Sequence, residues 1–124
     1  MNIQECYDEF GGSYEEVKER LQSDRLIERF VTKFLSDTSY ESLFTAVKDE
    51  NYEEAFRAAH TLKGVCQNLS FRRLSDSSSV MTEYLRGQEA SEIDKTRCEE
   101  LLQQVTEDYQ KVINAIQSRT RLSK

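Results

Sequence analysis

The chain has 124 residues, a mass of 14.5 kDa and a formal charge of −6, with 32% charged residues, four glycines and no proline. A composition rich in helix formers and poor in breakers points to a single all-α domain spanning 1–124. No run of eighteen apolar residues and no basic-then-apolar leader is present, and the negative charge argues against phosphate-backbone binding. Neither a membrane span, a signal peptide nor a nucleic-acid partner is therefore expected.

In chain order, Gly11-Gly12 reads as a turn leading into a helix. Ser13-Tyr14-Glu15-Glu16 follows as a capping box, opening a short helix that ends near Gln22. Ser23 or Asp24 caps the next segment, where Leu26, Ile27, Phe30, Val31, Phe34 and Leu35 recur at helical spacing. Thr38-Ser39-Tyr40-Glu41 offers another box, ahead of a short helix through Leu43, Phe44 and Val47. Asn51, with Glu54 as box partner, opens a longer helix whose stripe is Tyr52, Ala55, Phe56, Ala59, Leu62, Cys66 and Leu69. A further helix carries Phe71, Leu74, Ser78, Met81 and Leu85, with Gly87 suited to its C-terminal cap. The last is predicted to open at Ser91, with Asp94 as box partner, and to run through Cys98, Leu101, Leu102, Val105, Tyr109, Val112, Ile113 and Ile116. The tail after Gln117 is expected to fray. Four amphipathic stripes with short connections predict an antiparallel four-helix bundle, with one or two short extra helices at the N-terminus. Because the stripes can satisfy one another, the expected state is a monomer.

The three cysteines (Cys6, Cys66, Cys98) fit neither a disulfide framework nor a zinc site, so a reduced, cytoplasmic protein is expected. There is one histidine, His60. On a helical wheel it lies roughly 130° from the middle of its helix's apolar stripe, facing outward or on the shoulder. Around it stand Arg57, Lys63, Gly64 and Gln67. A mid-helix glycine costs about 0.5–1 kcal/mol relative to alanine, and Gly64, four residues on, opens a path to the imidazole. Lys63 can neutralise an anion held at the ring, so the surroundings suit a phosphorylatable imidazole. The plainer reading is a surface histidine beside a glycine that relieves helix–helix crowding. One histidine excludes two-histidine zinc sites, and a carboxylate-bridged di-iron bundle needs a glutamate where Arg57 stands. No glycine-rich phosphate loop is present.

At Ala58-Ala59-His60-Thr61-Leu62-Lys63-Gly64 the chain closely resembles the signature of histidine-containing phosphotransfer (Hpt) domains. The likeness extends upstream through Phe30 to Leu35 and Asn51-Tyr52-Glu53-Glu54-Ala55, and downstream through Asn68-Leu69-Ser70-Phe71. It implies that His60 accepts the phosphoryl group, Lys63 supports the phosphate and Gly64 admits the partner's active site. Arg86 falls where a basic residue often stands. Two positions depart from the pattern. Ser70 occupies a turn site that is commonly glycine. Thr82 stands where some members carry a glutamine that hydrogen-bonds the imidazole, which leaves Gln67 or a water to orient the ring. The implied partners are a receiver domain and a histidine kinase. Magnesium is expected on the receiver, and no cofactor on this chain. The rival reading is an adaptor that binds such a partner without carrying phosphate.

Overall fold

A computed structural model describes residues 1–122, with side chains through Thr120. It contains seven α-helices: α1 (Ile3–Phe10), α2 (Tyr14–Leu21), α3 (Asp24–Lys33), α4 (Ser39–Lys48), α5 (Tyr52–Leu69), α6 (Arg72–Leu85) and α7 (Lys95–Leu122). Short 3-10 turns lie at Phe34–Ser36 and Ala90–Glu92, and no strand occurs among the described residues.

Most of the predicted caps hold, but as one-sided caps. Ser13 Oγ accepts from the Glu16 N–H at 3.3 Å and Asn51 Oδ1 from the Glu54 N–H at 3.2 Å. The reciprocal arm of the box is missing in both. The Ser13 N–H donates to Ser70 O and the Asn51 N–H to Ala46 O, while Glu16 and Glu54 pair instead with Arg72 and Arg57. At Ser13 the competing partners are tertiary, from Ser70 and Arg72, while at Asn51 they are near in sequence. Ser23 Oγ caps α3 through the Leu26 N–H at 3.3 Å. At α4 the expected Thr38 cap is replaced: Asp37 Oδ2 accepts from the Ser39 N–H at 3.0 Å.

Three boundaries differ from expectation. Helix α1 precedes the first predicted cap, started by Asn2 Oδ1 accepting from the Glu5 N–H at 3.1 Å. Helix α7 starts after Asp94, not Ser91, because Asp94 is itself the cap: its Oδ1 accepts from the Arg97 N–H at 3.2 Å. The tail expected to fray stays helical through Leu122. Arg119 there forms an ion pair with Glu9 of α1, and Thr120 Oγ1 donates to Ile116 O at 2.8 Å. Residues 123–124 of that tail lie outside the described residues.

Helix α5 packs against α4 on one side and α6 on the other, α6 packs on α7, and α7 returns to α4, closing a four-helix ring. Helix α1 lies on α7, and α3 touches both. Burying one stripe from each helix supplies the main driving force. At the end where α1, α3, α6 and α7 converge, Phe71 is the hub. Its ring meets Phe10 at 4.8 Å, Phe34 at 5.2 Å and Tyr7 at 5.7 Å between centroids. Beyond it Tyr40 stacks on Tyr109 at 4.0 Å. Among the described residues no helix is long and apolar enough to cross a membrane.

This end also fixes the C-terminus of α5. Four carbonyls there would lack helical partners. Gln67 O and Asn68 O accept from Arg20 Nη2 at 3.1 and 3.0 Å, Leu69 O from the Tyr7 hydroxyl at 2.7 Å, and Ser70 O from the Ser13 N–H at 2.9 Å. Ser70, the departure from glycine, takes the left-handed conformation (φ 58°, ψ 37°), and its hydroxyl also bonds Arg20. Gly12 lets the α1–α2 turn approach this closely. A Cβ there would lie 2.7 Å from Phe10 and Tyr7 ring atoms and 3.0 Å from Ser70 O.

Candidate functional site

Helix α5 presents its buried stripe, Ala55, Ala59, Leu62, Cys66 and Leu69, to the ring of helices. The rotation left over places His60 on the exposed side, as the wheel predicts. Its imidazole stacks nearly parallel on Phe56, one turn earlier, at 6.1 Å between centroids and 13° between planes. Over the Phe56 ring in turn lies the guanidinium of Arg86, the residue just past the end of α6, 5.1 Å from the ring centroid. A row of imidazole, benzene ring and guanidinium thus links the two central helices.

Gly64 decides between two explanations of itself. A Cβ built there meets nothing within 4 Å. The glycine therefore relieves no crowding inside the protein, and the space above it belongs to whatever approaches from outside. Further along α5, Val65, Asn68 and Leu69 form one wall of a groove of about 440 Å³, with Phe30, Lys33 and Phe34 as the other. Phe30 is 40% exposed there.

The expected cations are placed unequally. Arg57 turns back toward the first turn of α5, where Nη2 meets Glu53 at 2.7 Å and Nη1 meets Glu54 at 3.1 Å. Arg86 is held by Glu83 in a two-pronged contact, Nε to Oε2 at 2.9 Å and Nη2 to Oε1 at 3.1 Å. Only Lys63 of the three has no carboxylate in ion-pair contact among the described residues. The surround expected to be cationic is therefore a largely compensated one with a single uncommitted ammonium.

Glu83 is the residue that sequence reasoning missed. Hydrogen bonds from Arg86 hold its carboxyl below the usual carboxylate range, and the charges of Arg86, Lys63 and His60 add to that pull. Its pairing with Arg86 is legible as an i,i+3 spacing. Its nearness to His60 depends on how α6 lies on α5. Neither Thr82, which stands in the glutamine's place, nor Gln67, the suggested orienting group, makes a hydrogen bond to the imidazole. Thr82 is fully buried and its hydroxyl donates to Ser78 O at 2.7 Å. Gln67 lies two turns beyond His60, an axial rise of about 10.5 Å. Its backbone carbonyl is engaged by Arg20.

The site can therefore offer an approaching group a nucleophilic ring nitrogen, an ammonium three residues on and an open space beside both. No group of three or more His, Cys, Asp or Glu residues suited to a metal ion occurs among the described residues. The comparisons with known proteins give no match among the curated proteins or the solved structures. The family model described as the Hpt domain matches residues 15–115. With most of its length matched, this all-helical chain belongs to the Hpt domain family, whose members carry out histidine phosphotransfer in two-component phosphorelays with receiver domains and histidine kinases.

Proposed function

We propose that this Hpt domain is a phosphorelay intermediate that accepts a phosphoryl group on His60, from a receiver phospho-aspartate or a kinase, and passes it on. The observation that carries the reading is the exposed His60 beside the empty space above Gly64. A helix gives up about 0.5–1 kcal/mol for that glycine and recovers nothing inside the fold. A pure adaptor needs none of the three identities His60, Lys63 and Gly64, which stand here together. In the transfer, the lone pair of the unprotonated ring nitrogen attacks phosphorus in line. The N–P bond forms as the acyl-phosphate P–O bond breaks, and its electrons leave with the aspartate carboxylate. Catalysis of this kind rests on positioning and charge neutralisation, so one ammonium and an accessible ring suffice on this side. Lys63 offsets the phosphoryl charge, while the receiver supplies the magnesium its own chemistry needs. The receiver sits across Gly64 and the groove at Phe30 and Val65, and the protein acts as a cytoplasmic monomer.

The test is a phosphotransfer profile against the receiver domains of the source organism, each phosphorylated in advance. Acid-labile label is expected on the wild type and absent from His60→Gln. Label that persists in His60→Gln, or binding to a receiver with no transfer at all, overturns the proposal.

A further inference from the structure

The charged groups around His60 do more than compensate one another. Glu83 holds the Nε/Nη2 edge of Arg86, which lies on the face of Phe56, whose ring is stacked with the imidazole. The carboxylate is thus anchored to the row that ends at the phosphoacceptor, within electrostatic reach of both His60 and Lys63. The remaining carboxylates on this stretch of α5, Glu53 and Glu54, are engaged with Arg57. Nothing in the fold requires an anion here: Glu83 and Arg86 are both exposed. For a residue row meant only to hold phosphate, a carboxylate is the wrong sign.

We propose that Glu83 makes phosphorylated His60 a donor rather than a store, by repelling the phosphoryl group and withholding one edge of the Arg86 guanidinium from it. This rests on the reading of His60 as phosphoacceptor and adds which way the site is biased. The chemistry is symmetrical in its requirements. When the attacking nitrogen of a neutral imidazole takes the phosphoryl group, the product ring is cationic, with its proton on the other nitrogen. When the group leaves, the N–P electron pair returns to the ring. That ring departs as neutral imidazole only if the proton is still on the other nitrogen; without it, the leaving group is an imidazolide anion. Glu83 acts on this exchange through its carboxylate charge, fixed by Arg86. The same charge opposes the roughly −2 phosphoryl group. By occupying the Nε/Nη2 edge of Arg86, Glu83 also withholds one of the two guanidinium edges that suit bidentate binding of phosphate. Both effects act in the direction of discharge.

The experiment loads purified protein with phosphoramidate, a small-molecule donor that phosphorylates accessible imidazoles without a receiver. Decay of phospho-His60 is followed by phosphorus NMR for wild type, Glu83→Gln and Arg86→Gln. The same loaded proteins are then mixed with one unphosphorylated receiver, and the partition of label is measured. Glu83→Gln is expected to lengthen the half-life and to raise the fraction of label retained on His60 by about three-fold, the scale of an exposed charge pair. Arg86→Gln frees the carboxylate and is expected to shift both readouts the other way. A merely structural pair would move both variants in the same direction. Equal behaviour of all three proteins, or shifts of the same sign in both variants, overturns the proposal. Failure of every receiver to exchange label with a chemically loaded wild type instead overturns the phosphorelay reading. The half-life comparison still stands in that case.

Discussion

At the scale of single residues, Gly64 and Gly12 show that glycine can mark opposite things. Gly12 is required by what touches it, since a side chain would run into Phe10, Tyr7 and Ser70 O. Gly64 touches nothing, and its cost to the helix is uncompensated within the chain. Gly64→Ala is therefore expected to stabilise the protein by about 0.5–1 kcal/mol, read as a higher urea midpoint. Gly64→Gln is expected to fold equally well but to slow phosphotransfer by about ten-fold or more, because reacting atoms must meet in line. A destabilised Gly64→Ala would show that the position packs against something after all. Lys63 and Arg57 make the complementary point about charge. In sequence both belong to the cationic surround of His60. Arg57, however, has Glu53 and Glu54 at i−4 and i−3, the arrangement that most readily captures a guanidinium on a helix surface.

At the scale of elements, the C-terminus of α5 is the joint on which the site's geometry depends. It ends in a left-handed serine, a conformation that costs an L-residue roughly 1–2 kcal/mol. The N-terminal helices stabilise it with three different groups: the guanidinium of Arg20, the hydroxyl of Tyr7 and the backbone of Ser13. This gives α1 and α2 a purpose that their short lengths do not suggest, since isolated helices of eight residues are marginal in water. Arg20→Ala is expected to lower stability by about 1 kcal/mol and to speed amide exchange at Ser70 and Phe71, leaving α4 and the middle of α7 unaffected. Uniform protection across α5 in that variant would count against the joint. The expected start of α7 at Ser91 failed for an elementary reason. Ser91 and Asp94 both suit a cap, and the chain instead forms a 3-10 turn closed by Glu89 and Glu92 before Asp94 takes over.

For the molecule as a whole, the core contains thiols and a phenol that must stay neutral. Burial pushes Cys6 from an ordinary value of 9.0 up to about 11, with Arg119 pulling it back down in part. Burial likewise raises Cys66, Cys98 and the Tyr7 phenol. In the unfolded chain these thiols ionise near pH 9, while the folded state keeps its protons. Stability is thus fully present below about pH 9 and falls as pH rises toward about 11, by up to about 1.4 kcal/mol per pH unit for each such group. The urea midpoint is expected to hold steady to about pH 9 and then decline, and Cys6→Ala is expected to flatten part of that slope. A midpoint unchanged to about pH 11 would contradict it. The acidic net charge of −6 is a statement about the outside, where exposed ion pairs such as Lys48–Glu99, Lys95–Glu50 and Arg97–Glu100 add little to stability.

Much of this protein was determined by local sequence. Helical periodicity decides which face of each helix is apolar, because a stripe that recurs every three to four residues has only one side to bury; this put His60 outside and Cys66 inside. Side-chain caps at Asn51, Ser13 and Ser23 act within four residues, so they too are legible. What only the tertiary structure decided is which of several possible partners each polar group takes. Asn2 caps the start of α1, and the helix persists because Tyr7 and Phe10 find the aromatic cluster at Phe71. The tail past Gln117 looks polar enough to fray, yet Arg119 meets Glu9 from the far end of the chain. At the site, Thr82 turns inward to Ser78, and Glu83, its neighbour in sequence, comes within electrostatic reach of His60. One residue along a helix is a rotation of about 100°, so the register of α6 on α5 determines which side chain meets the imidazole. No spacing within either helix contains that register; it is set by how two buried stripes mesh.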